Sequence, residues 1–152
     1  MGFVPKRQGK AKQPILTANP PTPKIPFYLG SPNLEARHIA WRLSKADVDG
    51  PFSCGDFVHD DFKKLWDRLR AFEKMSIAEF KQAGSFHKVP TLNLSKLAKS
   101  RLQGIGLDDV DVLYSFRITG ACRLWCMKHE NLLSVLWWDE KHEVYPSHKK
   151  NT

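Results

Sequence analysis

The end of the chain gathers side chains that could hold a nucleic acid. The stretch RITGACRLWCMKHENLLSVLWWDEKHEVYP contains Arg117, Arg123, Trp137, His142 and Tyr145. Arginine donates two parallel bonds to a phosphate and keeps its charge, and an indole ring can stack on a base. Two interpretations are open: a basic and aromatic sheet face that holds RNA, or a packed sheet whose polar side chains are only solvated.

Hydrophobic alternation with period 2 predicts three antiparallel strands in this stretch, with turns near Gly120 and Glu130. The residue numbers of directly opposed partners then sum to about 240 across the first turn and to about 260 across the second. This register places Arg117, Arg123 and Trp137 abreast on one face. Trp125 and Val135 share that face, while the opposite face holds Phe116, Ile118, Leu124, Leu136 and Trp138.

The preceding segments must support this sheet. ARHIAWRLSKAD alternates as a strand, and DFVHDDFKKLWDRLRAFEKM has helical spacing, with Trp41 and Trp66 expected in the core. Ser76 and Glu79 have capping-box spacing, and NLSKLAKSRLQG predicts a further helix after an Asn93 cap. We therefore expect an α+β fold: an N-terminal strand, two to three helices, then a three-stranded antiparallel meander.

Further basic residues lie before the meander. Lys96, Lys99 and Arg101 could form a helical face toward rRNA or DNA, although a solvated helix face is the ordinary alternative. His87 and Lys88 occupy a predicted loop and are further candidates for the site, with Lys88 as a nucleic-acid contact, although basic residues in loops are usually solvated.

Residues 1–34 form a basic arm in this interpretation. They hold seven of the ten prolines and five of the basic residues without any acid, so they contribute +5 to the net charge of +8. Such composition predicts an extended, largely disordered segment beside one folded domain at 35–148. NPPTPKIP could be a polyproline ligand for an aromatic groove or a plain linker.

Composition excludes several classes of protein. No apolar run is long enough to span a bilayer, and the N-terminus lacks a secretory h-region, so we expect a cytoplasmic protein with no membrane partner. The three cysteines lack metal-ligand spacing, so neither zinc nor another cofactor is expected. Glycine-rich phosphate loops, paired-carboxylate sites and EF-hands are also missing from the sequence.

The chain resembles the RelE/ParE superfamily of toxins over residues 38–145. The resemblance lies in the order of elements, in the stretch FRITGACRLW and in the late HEVY. The chain is also similar to phage and bacterial proteins of this length that share A-W-R-x-S, D-x-D-G-P-F and L-W-W-D-x-x-H-x-V-Y. The RelE resemblance implies a metal-independent endoribonuclease that cuts mRNA, with the ribosome and a protein antitoxin as partners. It assigns phosphate binding to Arg117 and Arg123, and acid/base roles to His142 and Tyr145.

Two other functions remain open at this stage. One is a noncatalytic inhibitor or adaptor of the same fold, ParE-like or host-binding, that docks on a protein. The other is a simple RNA- or DNA-binding module. The acids around His142, namely Asp139, Glu140 and Glu143, could form a surface ion pair with it, and together with the proline-rich arm they favour the noncatalytic inhibitor or adaptor.

Overall fold

The structure, a computed structural model, describes residues 33–84 and 86–146. Nearly all of the predicted arm therefore lies outside the described residues. Two short 3-10 turns, Leu34–Ala36 and Thr91–Asn93, accompany the regular elements. In chain order these are β1 (Ala40–Arg42), α1 (His59–Glu73), α2 (Ile77–Gln82), β2 (Phe86–Pro90), α3 (Lys96–Gly104), β3 (Val112–Arg117), β4 (Arg123–His129) and β5 (Leu132–Asp139).

The strands form one five-stranded mixed sheet in the order β1-β5-β4-β3-β2. The predicted α+β class is confirmed, and β3 to β5 are antiparallel as expected. The predicted meander is nevertheless incomplete, because β1 adds to β5 in parallel and β2 adds antiparallel to β3. His87 and Lys88 lie on this edge strand β2, so their prediction as loop residues was wrong.

Helices cover both faces of the sheet. On the first face, called the α1 side, Leu65, Leu69 and Phe72 of α1 and Phe80 of α2 pack with Phe116. On the second face, called the α3 side, α3 packs against the sheet in a second buried cluster. That cluster contains Val89, Ala98, Leu102, Leu113, Trp125, Leu136, Trp137 and Val144.

Local signals account for the helix starts. Asp60 and Asp61 lie in the first turn of α1, where the helix dipole favours acids. Ser76 and Glu79 form the predicted capping box of α2, with Ser76 N donating to the Glu79 carboxylate at 2.8 Å. The N-cap of α3 is Ser95 rather than Asn93, because the Ser95 hydroxyl accepts from Ala98 N at 3.2 Å.

A β-bulge in β5 changes which side chains face each way. Trp125 pairs with Trp137 and the next residue, Cys126, pairs with Val135, so Leu136 is an extra residue in β5. Leu136 and Trp137 consequently both pack on the α3 side, and Val135 turns to the α1 side. The predicted faces of Val135 and Leu136 were wrong because unbroken alternation was assumed.

The segment after β1 continues along β5 beside this bulge. Asp47 N donates to Leu136 O at 2.8 Å, and Trp138 N donates to Phe52 O at 3.0 Å. Cys54 N closes the segment on itself by donating to Asp47 O at 2.8 Å. We call residues 47–54 the clasp, because they satisfy backbone groups of β5 beyond the end of the short strand β1.

Candidate functional site

The two predicted arginines do lie side by side. Arg117 pairs directly with Arg123 across the β3–β4 hairpin, in the predicted register. The third member of the row is Asp139, however, and not Trp137. Trp137 lies one row away, fully buried, so its predicted role as an exposed platform for a base was wrong.

Arg123 is buried within its own turn. Its Nη1 donates to the carbonyls of Gly120 at 3.0 Å, Cys122 at 3.1 Å and Thr119 at 3.3 Å. Burial lowers the pKa of the Arg123 guanidinium, and the nearby positive charge of Arg117 lowers this pKa further. The guanidinium thus holds the β3–β4 turn, and Arg117 is the exposed cation of the pair.

Asp139 organises the segment that carries His142 and Tyr145. Its carboxylate is buried and accepts from Glu143 N at 2.8 Å, Val144 N at 3.0 Å and Trp125 Nε1 at 3.2 Å. The turn includes His142 at a φ of 61°, half-buried, while Tyr145 is exposed. Asp139 is therefore a structural anchor, and it ties the turn to the arginine row.

The other predicted nucleic-acid contacts are dispersed over the surface. His87 shares the α3 side with Val89 and pairs with Ser115, which is two residues from Arg117 on the same strand. Lys88 points to the other side of the sheet, opposite Tyr114. Lys96 and Lys99 are exposed on α3, and the Lys99 ammonium donates to Leu92 O at 3.2 Å.

Arg101 forms a bidentate ion pair, which neither the predicted nucleic-acid-binding face nor its solvated alternative included. Its Nε and Nη2 each donate to the Asp47 carboxylate at 2.7 Å, and Trp137 Nε1 donates to the same carboxylate at 3.0 Å. The Arg101 hydrogen bonds are the main cause that lowers the pKa of Asp47 from 3.8 to about 2, against the effect of burial. This bidentate pair fastens the clasp to α3 and β5.

A different surface has the features of a binding site. Five large apolar side chains on the clasp, α1 and the segments beside them stay exposed: Val58 at 62%, Leu43 at 59%, Val48 at 58%, and Phe62 and Trp66 at 50%. Trp66 was predicted to be core, but it lies on the flank of the buried stripe of α1. Such clusters of exposed apolar side chains usually mark an interaction surface.

Four of these side chains, Leu43, Val48, Phe62 and Trp66, border a groove with two adjoining cavities. One has a volume of about 170 Å³ and the other about 160 Å³, and they share Leu43, Trp66 and Leu69. We call the two together the apolar groove. The first cavity is lined also by Ala46, Val48, Cys54, Phe57, Phe62, Leu65, Leu124 and Val135, and the second by Trp41, Arg70 and Glu73.

Aromatic rings form much of the groove wall. Phe62 and Trp66 stack at 5.9 Å between ring centroids with an interplanar angle of 19°, and Phe57 contacts Phe62 edge-on at 6.4 Å. Burial raises the pKa of the Cys54 thiol to about 12, so the floor of the groove carries no reactive thiolate. The arrangement is suited to binding rather than to covalent chemistry.

The width of the apolar stripe on α1 indicates this groove in the sequence, but helical periodicity alone does not distinguish groove residues from core residues. Phe62 and Trp66 extend the apolar stripe of Leu65, Leu69 and Phe72 sideways, beyond the width that one buried helix face requires. Excess apolar width on a helix is a usable indication of a second contact surface.

No protein-family model, curated protein or solved structure matches the chain. Within the described ranges, no helix is long and apolar enough to cross a membrane.

Proposed function

We propose that the chain is a noncatalytic protein-binding module, an inhibitor or adaptor, whose apolar groove receives an apolar segment of another protein. The observation that carries this proposal is the exposure of Phe62 and Trp66, each at 50%, above two joined apolar cavities. Tryptophan and tyrosine anchors in desolvated pockets commonly dominate the energy of protein interfaces. A soluble chain exposes such a surface at a cost in solubility that a partner would offset.

The surroundings of the groove fit this function. The exposed charged side chains Arg70 and Glu73 of α1 line one end of the groove beside its apolar residues. An apolar centre with a charged rim is the usual anatomy of a protein interface. The arginine row, by contrast, has one member enclosed by its own turn and an acid beside it, which weakens the case for chemistry there.

The test begins with photo-crosslinking in host cells, with benzoylphenylalanine in place of Phe62. Each captured protein is then purified and titrated calorimetrically against the natural chain. Phe62→Ser and Trp66→Ser are expected to raise the Kd by about 30-fold each if both are interface anchors. Leu97→Ser is the matched control, because Leu97 is equally exposed at 53% but lies on α3. The proposal fails if no captured protein binds, or if the control weakens binding as strongly as the groove variants.

A second candidate function is the RelE-like endoribonuclease acting on mRNA, free or on the ribosome, with an antitoxin over the arginine row. The alignment of Arg117 with Arg123 favours it, and His87 in a neighbouring row offers an acid or base on the same side of the sheet. In this proposal Arg117 contacts the phosphate, and Arg123 contributes positive potential from beneath. His142 and Tyr145 remain further acid/base candidates.

This candidate is tested by incubating mRNA with the protein in excess chelator, with and without translating ribosomes, and mapping new 5′ ends. Arg117→Ala is the informative variant, because Arg123→Ala would also disturb the turn. Cuts that persist with Lys99→Ala and disappear with Arg117→Ala and His87→Ala support a nuclease. Intact RNA under every condition contradicts it.

A further inference from the structure

The apolar groove has the character of a surface that binds proline-rich chains. Trp66 and Phe62 are stacked along one part of it, and Trp41 lines the adjoining cavity. Grooves lined by aromatic rings bind polyproline II segments, because prolines pack between flat rings and lose little conformational entropy on binding.

The same chain carries a segment with matching periodicity. In NPPTPKIPFYLG, Pro20, Pro23 and Pro26 recur every third residue. A polyproline II helix has three residues per turn, so these prolines would share one edge. The apolar residues Phe27 and Leu29 follow directly and would extend the contact.

We infer that residues 20–29 dock in the apolar groove of their own chain and compete there with the protein partner. This inference rests on the proposed function only for the competition, since docking itself needs no partner. A partner must displace the segment before it can bind. The apparent affinity of the partner is therefore its intrinsic affinity multiplied by the fraction of chains whose groove is open.

Chain geometry permits this docking. Asn33 is eight residues from Trp41, and therefore lies within about 27 Å of the groove. Pro20 is thirteen residues before Asn33 and can reach about 44 Å, so the segment can span the groove in either direction. Short tethers give effective concentrations of about 1 mM, which would fill a groove of intrinsic Kd about 0.1 mM to roughly nine-tenths.

The charges at one end of the apolar groove are complementary to those of residues 20–29. Glu73 lines the Trp41 cavity, and Arg70 beside it lies 3.9 Å from the Asp67 carboxylate. Lys24 follows Pro23 directly and can approach Glu73 when the prolines face the rings. The segment from 20 to 29 contains no acid, so it brings no repulsion to this end of the groove.

The experiment uses the purified full chain with benzoylphenylalanine in place of Leu43, which borders both cavities. Unlabelled and ¹⁵N-labelled chains are mixed equally, irradiated and digested with trypsin, and mass spectrometry locates each cross-link. Replacing Leu97 of α3 in the same way is the positional control. Pro23→Gly combined with Phe27→Ser tests the segment, and Pro5→Gly combined with Pro14→Gly is its matched control.

We expect cross-links from position 43 to residues 20–29 within chains of one isotope label, and none to that segment from position 97. If Pro23→Gly with Phe27→Ser raises the intrinsic Kd between segment and groove about a hundredfold, the cross-link yield falls about tenfold. The control, Pro5→Gly with Pro14→Gly, leaves the yield unchanged. Mixed-label products would overturn the inference in favour of a second copy in the groove. Cross-links that avoid residues 20–29 would overturn it altogether. Because no partner is present, failure here is separate from failure of the proposed partner binding.

Discussion

The substitution Asp47→Asn should loosen the clasp and with it one wall of the apolar groove. Asp47 receives two hydrogen bonds from Arg101 at 2.7 Å each and one from Trp137, and asparagine keeps an oxygen for Trp137 while losing the charge. The lowered pKa of Asp47, about 2 against 3.8, corresponds to about 2 kcal/mol of stability at neutral pH.

A geometric argument gives a similar magnitude. Removing one partner of a buried ion pair costs about 3–5 kcal/mol. The Arg101 side chain is 26% exposed and can regain water, so the lower part of that range or slightly less applies. We therefore expect Asp47→Asn to lower the free energy of unfolding by about 2–3 kcal/mol at pH 7.

The dependence on pH has a definite sign. Because the pKa of Asp47 is lower in the folded chain, the unfolded chain binds the proton first as the pH falls. The contribution is complete above about pH 5 and disappears as the pH falls through 4 toward 2. The difference between the natural chain and Asp47→Asn should therefore shrink by about 1 kcal/mol between pH 7 and pH 3.

Urea unfolding followed by tryptophan fluorescence at both pH values measures this difference. Asp49→Asn is the control, because Asp49 is exposed and contributes only its backbone N–H to Asp47, at 3.3 Å. Its effect should stay within about 0.5 kcal/mol. A difference for Asp47→Asn that is equal at pH 7 and pH 3 would refute the assigned role of the charge.

Three further predictions concern the turn, the clasp and the groove. Gly50→Ala places a Cβ 2.6 Å from Asp47 Oδ2 and against Arg101, so it should destabilise the chain by about 1–3 kcal/mol in urea. The penalty should be smaller in the Asp47→Asn background, and strict additivity would contradict the reasoning. Arg123→Ala should lower the free energy of unfolding by about 2–3 kcal/mol, and Arg117→Ala by less than about 0.5 kcal/mol; equal effects would remove the distinction between them. Cys54, with a pKa of about 12, should react with iodoacetamide at pH 8 about a thousandfold more slowly than in the urea-unfolded chain, as measured on its peptide by mass spectrometry. A rate within tenfold of the unfolded one would contradict its burial.

Local signals predicted the elements that depend on neighbours in sequence. The Ser76 capping box, the acids at the start of α1 and the pairing of Arg117 with Arg123 around Gly120 all follow from contacts a few residues apart. Strand β2 was missed because its exposed His87 and Lys88 lack a buried alternation. Edge strands carry a weaker pattern than central strands, since one side pairs with nothing.

Long-range pairing explains the errors at the candidate site. Whether Arg101 is solvated depends on Asp47, which is 54 residues away and reaches it only after the clasp has folded onto β5. Likewise, Trp66 has helical spacing with the core, but it stays 50% exposed in the folded chain. Neither outcome is encoded in a window of neighbouring residues.

One inserted residue shifts the balance between the two candidate functions. Without the Leu136 bulge, the pairing of Cys126 with Val135 would continue along the strand and place Trp138 opposite Arg123. With the bulge, Asp139 takes that position, and Trp137 packs on the α3 side and donates to Asp47. The carbonyl of the bulged Leu136 accepts from Asp47 N, which brings the clasp alongside β5. The clasp supplies Val48 and Cys54 to the apolar groove. The irregularity that puts a carboxylate in place of an aromatic ring in the arginine row therefore also supports a wall of the groove, and this common cause agrees with the proposed binding at the groove better than with catalysis at the row.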